Sequence, residues 1–508
     1  MKGAHEKLRK LWSWKPGKIL LAVGCCILLL LTLIPLFRLT VYAVPYYDDY
    51  NFGRFARAAM EQEHSKWAAI SGALDCARTQ WYAWQGTYSS IFFMTLMPAI
   101  WGEQYYFLGP VFILFILLAG TMAFTHVILR KVLVMEKWTS LAVQAVITAA
   151  VFMFIYSAQS GFYWYNGGVH YVGMHGFGLL LLSAAICLER AEGRTATGLL
   201  FTASVLLSMI TAGSNFVTAL QGLLCLLTIL LVSVVLEHRK KGLWLLPATL
   251  VYIIGFGLNV AAPGNSVRAR SYVGWGYSPI ESIGRSFLEG VKHLPEFTGS
   301  IVLMVMVMLF PLIWQALKGT DYRFRYPGIV LVWSFCLYAT GYTPSLYSLG
   351  HAGLSRTLNA VKITYLLLLF LNEVYWCGWL QQKLQKKAAT GTSKWLANWN
   401  GAAVWWFYAI MALEFFMIFQ VSPNQAGHYS AYGAYYYVHT GEANNFHQEY
   451  LERVEKLLGD EENVQLQPYH YKPWFLCMGD LSEDENNEAN RSLAIWYDKD
   501  SVTLISED

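Results

Sequence analysis

The chain has 508 residues, of which 56 % are hydrophobic and only 14 % are charged, and its formal net charge is +4. An ordinary soluble domain has roughly 45–50 % apolar and about 25 % charged residues, and a disordered or nucleic-acid-binding chain would need still more charge. The composition excludes these classes and predicts an integral membrane protein.

Long apolar runs recur along the chain. A helix needs about 20 apolar residues to cross a bilayer, and such runs predict an all-α polytopic membrane domain over residues 18–420. The shorter stretch 84–100 is predicted to be re-entrant or interfacial. The eleven predicted spans lie near 18–40, 105–129, 139–157, 174–189, 195–213, 216–236, 243–260, 301–317, 328–343, 357–380 and 400–420.

The distribution of basic residues predicts how the chain is oriented in the membrane. Lys and Arg collect in the N-terminal segment 1–17 and in the short connections that follow the even-numbered spans. Because Lys and Arg are enriched in cytoplasmic loops, the N-terminus is predicted to be cytoplasmic and the C-terminus to be extracytoplasmic, in a multi-pass protein of the cell membrane. The predicted outer segments are the loops 41–104, 158–173, 261–300 and 343–356 and the tail 421–508.

The tail is predicted to form a small α+β extracytoplasmic domain. Apolar residues at helical spacing predict a helix over 446–458, and residues 464–466 predict a short strand.

Two adjacent carboxylates, Asp48 and Asp49, follow the first span and are surrounded by tyrosines. Mutual repulsion raises the pKa of one carboxyl in such a pair, and this suits a general base. Either Asp is also a candidate ligand for Mg²⁺ or Mn²⁺, although no second strong ligand cluster stands in the sequence. The alternative is that the pair only caps the helix that follows.

The loop after the third span is rich in aromatic residues. Trp164, Asn166 and His170 combine a ring face with an amide and an imidazole, which suits a sugar, since its C–H faces stack on aromatics while its hydroxyls need donors and acceptors. An aromatic belt at the membrane interface has the same composition without any binding role.

Arginines mark two later outer segments. Arg268 and Arg270 follow a Pro-Gly-Asn turn, and Arg356 begins the tenth predicted span. Guanidinium groups there can clamp a phosphate by paired hydrogen bonds, or they extend to lipid headgroups. Asn265 and His351, in the same segments, are further candidates for contacts with a sugar or an acceptor.

Taken together, these motifs resemble the GT-C superfamily of membrane glycosyltransferases and, more closely, the bacterial membrane proteins of domain-of-unknown-function family 6056. The resemblance implies a sugar donor carried on polyprenyl phosphate and transfer at the outer face. One departure is Gln85-Gly86-Thr87, which stands where such proteins are expected to have a Gly-Arg pair. The residues that carry the resemblance are Asp48-Asp49-Tyr50, Trp164-Tyr165-Asn166-Gly167, Ala262-Pro263-Gly264-Asn265 with Arg268, Arg356, Lys472-Pro473 and Asn490.

The resulting hypothesis is an inverting glycosyltransferase that acts on a cell-envelope glycan or lipid acceptor. Its expected partners are the bilayer, the polyprenyl-phosphate sugar and the acceptor, with no nucleic acid. One alternative is a lipid-linked glycan polymerase or ligase. Another is a transporter or flippase of a lipid-linked saccharide, for which candidate polar residues within the membrane are Gln144, Asn215, Gln221, Asn259, Asn359 and Glu414.

Overall fold

The computed structural model describes residues 15–272, 274–317, 319–389 and 429–505, and these residues are mostly helical. In chain order the helices are α1 Lys15–Leu39, α2 Asp48–Glu63, α3 Ala68–Ala83, α4 Tyr88–Thr95, α5 Leu108–His126, α6 Lys137–Met153, α7 Met174–Leu188, α8 Arg194–Ala212, α9 Phe216–Leu231, α10 Leu246–Val260, α11 Pro263–Arg270, α12 Pro279–Ala316, α13 Pro327–Ala339, α14 Thr343–Leu349, α15 Ser355–Ala389, α16 Ser430–His439, α17 Glu442–Leu457 and α18 Glu488–Tyr497. The strands are β1 Asn463–Leu466 and β2 Ser501–Leu504.

Nine helical segments in the described ranges are long and apolar enough to cross a membrane, which confirms the predicted helical, polytopic membrane protein. The predicted span 139–157 forms α6, a shorter apolar helix of 17 residues. The predicted span 400–420, with Glu414, lies outside the described residues, so the number eleven stays a prediction. The nine segments are Gly17–Tyr42, Glu103–Val132, Tyr165–Leu188, Arg194–Ala212, Phe216–Leu236, Lys240–Arg270, Pro279–Ala316, Pro327–Leu349 and Ser355–Gln385.

The segment Tyr165–Leu188 is the centre of the bundle, since most of its residues are buried. Its helix α7 packs against α5, α8 and α9. Glycines allow α5 and α7 to approach closely: a Cβ at Gly120 would lie 2.4 Å from the carbonyl oxygen of Gly176. Small residues at such crossings are typical of helices that pack within membranes.

The segments predicted as outer loops are largely helical. Residues 41–104 contain α2, α3 and α4, and residues 261–300 contain α11 and the first half of α12. The start of α12 follows from its sequence, because Ser278 accepts a hydrogen bond from the N–H of Glu281 and Pro279 takes the first helical position. At Gly299, where φ is +53°, α12 is broken. Residues 158–173 consist of buried helical turns, Gln159–Tyr163, Tyr165–Gly168 and Val169–Gly173.

Residues 429–505 combine helices with a two-stranded sheet. The predicted helix over 446–458 corresponds to α17, and the predicted strand over 464–466 is β1, which pairs in parallel with β2 from Asn463↔Ser501 onwards. This region contacts the membrane helices, since α16 packs against α1 and α6. It also contacts the segment before α5, where the carboxylate of Glu103 accepts hydrogen bonds from Tyr450, Trp496 and Tyr497.

Candidate functional site

The Asp48-Asp49 pair lies in the first turn of α2, directly after Tyr47. Tyr47 has φ +40° and ψ −92°, a backbone conformation that residues other than glycine rarely adopt. Strained residues of this kind persist where the surrounding contacts hold them in place, and they cluster at functional sites. Since consecutive side chains leave a helix in different directions, the two carboxylates have different surroundings.

Asp49 is fully buried, and both of its oxygens accept hydrogen bonds. Its Oδ1 accepts from the N–H of Asn166 at 2.9 Å, and its Oδ2 accepts from the N–H of Tyr46 at 3.0 Å and the O–H of Tyr106 at 2.8 Å. Burial raises the pKa of Asp49 to about 7, although the three hydrogen bonds act in the opposite direction. Asp49 therefore fastens α2 to the turn at Asn166 and to the segment before α5.

Asp48 is only partly buried and interacts with charged side chains from distant parts of the chain. Burial raises its pKa, the positive charges of Arg356 and Arg268 lower it, and the negative charge of Glu488 raises it. The structure thus brings together the first carboxylate of the pair and the predicted arginines from two later segments. The electrostatic neighbours of Asp48 come from α11, α15 and α18.

Arg268 is held by the loop that carries the departure from the expected Gly-Arg pair. Its Nη1 donates to the Oε1 of Gln85 at 2.5 Å, and its guanidinium lies 5.4 Å from the ring centroid of Trp84. The adjacent Gly86 leaves no room for a side chain, because a Cβ there would lie 1.9 Å from the carbonyl oxygen of Asn259. Residues 84–86 therefore orient the guanidinium of Arg268.

Arg356 lies in the first turn of α15, and its guanidinium is 5.6 Å from the ring centroid of Trp164. Trp164 is itself fixed, since its indole N–H donates to the carbonyl of Tyr46 at 3.3 Å. A guanidinium over an aromatic face gains a favourable cation–π interaction and keeps its N–H groups free to point elsewhere. Trp164 thus connects Arg356 with the turn that carries the Asp pair.

Asn166 and His170 add unpartnered polar atoms to the cluster formed by Asp48, Asp49, Arg268 and Arg356. Asn166 is 1 % exposed, its main chain is bound to Asp49, and neither polar atom of its side chain has a hydrogen-bond partner among the described residues. The Nδ1 of His170 is also buried without a partner there, and its ring interacts electrostatically with Arg268 and Arg356. Buried polar atoms are nearly always paired, so these atoms are suited to bind a ligand with hydroxyl groups.

Three predicted residues are placed differently. The side chain of Asn265 is occupied by main-chain partners: its Oδ1 accepts from Gly86, and its Nδ2 donates to the carbonyls of Asn259 and Val260. Arg270 is exposed at the last residue of α11, and it is not among the groups whose charge acts on Asp48. His351 is exposed in the turn before α15, where its Nδ1 accepts from the N–H of Gly353 at 3.1 Å.

The suggested divalent cation has few ligands here. Among the residues that the structure describes, no group of three or more His, Cys, Asp and Glu side chains is arranged to hold a metal ion. Both oxygens of Asp49 already accept hydrogen bonds, and the positive charges of Arg356 and Arg268, which act on Asp48, disfavour a cation there.

Several residues of the cluster were not candidates from the sequence. Glu488 lies in the acidic tail, where one acidic residue among many gives no signal, and Tyr106 is one of 32 tyrosines. Gln85 did carry a signal, because it marks the departure from the expected motif.

Comparison of the chain with protein-family models, with curated proteins and with solved structures gives no match.

Proposed function

We propose that this chain is a membrane glycosyltransferase that transfers a sugar from a polyprenyl-phosphate donor to a cell-envelope glycan or lipid acceptor. The observation that carries the proposal is that the charges of Arg268 and Arg356 both act on the carboxylate of Asp48, and that Trp164 lies under the Arg356 guanidinium and donates to the carbonyl of Tyr46, two residues before Asp48. A carboxylate facing two guanidinium groups suits a reaction in which a proton leaves the nucleophile while negative charge develops on a phosphate.

The surroundings of the two carboxylates favour different roles. Asp48 is the general base: it takes the proton of the acceptor hydroxyl, whose oxygen attacks the anomeric carbon. The bond from that carbon to the phosphate oxygen breaks, its electron pair stays on the lipid phosphate, and Arg268 and Arg356 stabilise that charge. A single displacement of this kind inverts the anomeric centre. Asp49, fully buried and hydrogen-bonded to three donors, holds α2 in place.

The sugar ring is proposed to lie beside Trp164, Asn166 and His170. The side chain of Asn166 offers a donor and an acceptor that no described residue uses, and such a pair matches a hydroxyl group. Asn265 is left out of the proposed sugar contacts, because both polar atoms of its side chain bond main-chain groups of the protein.

The polar residues inside the membrane favour an enzyme over a transporter. A transporter needs a polar route through the bilayer, but the amides considered for that route bind main-chain carbonyls and so connect helices. The bonds run from Gln144 to Met122, from Asn215 to His170, from Gln221 to Leu337, from Asn259 to Ala212 and from Asn359 to Ser157.

The topology that goes with this function is also a proposal. In the cell membrane the N-terminus would be cytoplasmic, and the C-terminal region would be extracytoplasmic together with the Asp48 site. A donor delivered at the outer face would reach the arginines from the lipid, with its chain along the spans.

The test is a transfer assay with purified protein and a panel of labelled polyprenyl-phosphate sugars, with and without EDTA. We expect Asp48→Asn to lower the transfer rate by about 10²–10⁴-fold, the range typical for loss of a general base. Glu461→Gln, at an exposed acidic residue of the tail, is the matched control and should transfer at the wild-type rate. Full transfer by Asp48→Asn would exclude Asp48 as the base, and flipping of a lipid-linked sugar without transfer would favour the transporter.

A further inference from the structure

The strained turn before the Asp pair is held by the C-terminal region. Tyr47 donates its phenolic O–H to the Oε2 of Glu488, which is the first residue of α18. The hydroxyl of the preceding Tyr46 lies against Gly479, where a Cβ would be 2.6 Å from that oxygen. Residues 479–488 therefore contact both tyrosines that lead into α2.

The contact between Tyr47 and Glu488 is important because the backbone of Tyr47 is strained. Tyr47 has a φ of +40°, and a residue in such a conformation stays there only when its neighbours hold it. Its own ring packs edge-on against Tyr46, with the centroids 6.4 Å apart, and the carbonyl of Tyr46 accepts the indole N–H of Trp164. Glu488 holds the far end of the Tyr47 side chain.

Glu488 also acts on Asp48 through its charge. The pKa of Asp48 is raised first by burial and then by Glu488, while Arg356 and Arg268 lower it. Within the described ranges, Asp48 also interacts electrostatically with the neighbouring Tyr46, Tyr47 and Asp49. Glu488 is thus a second carboxylate that acts on the site, on an exposed residue from the opposite end of the chain.

We propose that Glu488 is a positioning residue of the site. Through Tyr47 it holds the turn that directs Asp48 towards the arginines and Asp49 into the core, so the site is complete only while the C-terminal region is docked. This inference rests on the proposed function, because the site that Glu488 completes is the proposed transfer site.

An experiment that needs no transfer activity tests this role. A carbodiimide reacts with protonated carboxyl groups, so labelling of the full-length protein across a pH series, read by peptide fragmentation, reports Asp48 and Asp49 separately. Glu488→Gln keeps an acceptor for Tyr47 and removes the charge, whereas Tyr47→Phe keeps the charge and removes the hydrogen bond. Glu488→Ala removes both, and Glu485→Gln, at an exposed residue of the same segment, is the control.

We expect Glu488→Gln to move the labelling midpoint of Asp48 to lower pH, because a nearby negative charge no longer opposes its ionisation. At a pH below about 4, where the carboxyl is protonated whether buried or exposed, Tyr47→Phe and Glu488→Ala should increase the labelling of Asp49 several-fold, because the turn that buries it is loosened. Glu485→Gln should match the wild type. Transfer by Glu488→Gln should show its acidic limb at lower pH than transfer by the wild type.

The proposal is overturned if Tyr47→Phe and Glu488→Ala, with wild-type circular dichroism, leave the labelling of Asp49 unchanged. A midpoint of Asp48 that does not fall in Glu488→Gln overturns it as well. If Glu488→Ala does not fold, the labelling of Glu488→Gln and Tyr47→Phe still tests the proposal. Absence of transfer by the wild type would contradict the proposed function, while the labelling would still show whether Glu488 positions the Asp pair.

Discussion

Tyr106 donates its phenolic O–H to the Oδ2 of Asp49 at 2.8 Å, and the same hydroxyl oxygen accepts the N–H of Tyr165 at 3.0 Å. Tyr106 and Asp49 are both buried. Tyr106→Phe should therefore lower the free energy of unfolding by about 1–3 kcal/mol, the cost of a buried polar group without a partner. The measurement is thermal unfolding in detergent, with Tyr82→Phe, at an exposed tyrosine, as the control. Equal melting temperatures for wild type and Tyr106→Phe would contradict the role assigned to this hydroxyl.

The buried Asp49 predicts a pH-dependent stability. Its pKa is about 7 in the folded protein against an ordinary value of 3.8, so between these values the folded state holds a proton that the unfolded state has released. Stability from this group is complete below about pH 4 and is lost as pH rises through about 7. The stability of the wild type relative to Asp49→Asn should fall over this window and stay constant above it. A relative stability that is independent of pH would show that Asp49 titrates normally.

The two arginines of α11 should differ in importance. Arg268 is oriented by Gln85 and Trp84, whereas Arg270 is exposed at the end of the helix. A lysine lacks the planar fork of donors that a guanidinium presents to a phosphate. We expect Arg268→Lys to lower transfer by about tenfold or more, in line with roughly 1.5–3 kcal/mol for a hydrogen bond to a charged group. Arg270→Lys is the matched control, and a larger loss in this variant would reverse the assignment.

Two asparagines provide a contrast between binding and structure. The side chain of Asn166 has no partner among the described residues, whereas Asn359 bonds the N–H and the carbonyl of Ser157 at 2.8 and 3.0 Å. Asn166→Ala should keep the wild-type melting temperature and lower transfer, while Asn359→Ala should lose about 1–3 kcal/mol of stability. Wild-type transfer by Asn166→Ala would remove Asn166 from the proposed sugar site.

Glu103 should control how firmly the C-terminal region docks. Its Oε1 accepts from the indole N–H of Trp496 at 3.0 Å and from the O–H of Tyr497 at 2.9 Å, and its Oε2 accepts from Tyr450 at 2.7 Å. Glu103→Ala leaves these donors without their acceptor, so limited proteolysis should cut residues 429–505 away from the membrane helices faster than in the wild type. Glu63→Ala, at an exposed residue of α2, serves as the control. Equal cleavage rates in Glu103→Ala and wild type would show that other contacts hold the region.

Much of the fold could be predicted because it depends on local properties of the sequence. The thickness of the hydrocarbon layer fixes the length of an apolar run, so nine predicted spans coincide with helices that can cross a membrane. The helix α17 and the strand β1 follow from side-chain periodicity in the same way. The helices in segment 261–300, which was predicted to be an outer loop, were harder to predict, because an amphipathic helix with a Ser278 cap resembles a polar loop in hydropathy.

The sequence by itself determined that this is a helical membrane protein with a carboxylate pair after its first span and arginines in later segments. Only the tertiary structure decided that Asp49 is buried, that the charges of Arg268 and Arg356 act on Asp48, that Asn265 bonds the main chain, and that Glu488 bonds Tyr47. These outcomes depend on contacts between segments far apart in the chain. Local periodicity carries no information about such contacts, because they are fixed by how the helices pack against one another.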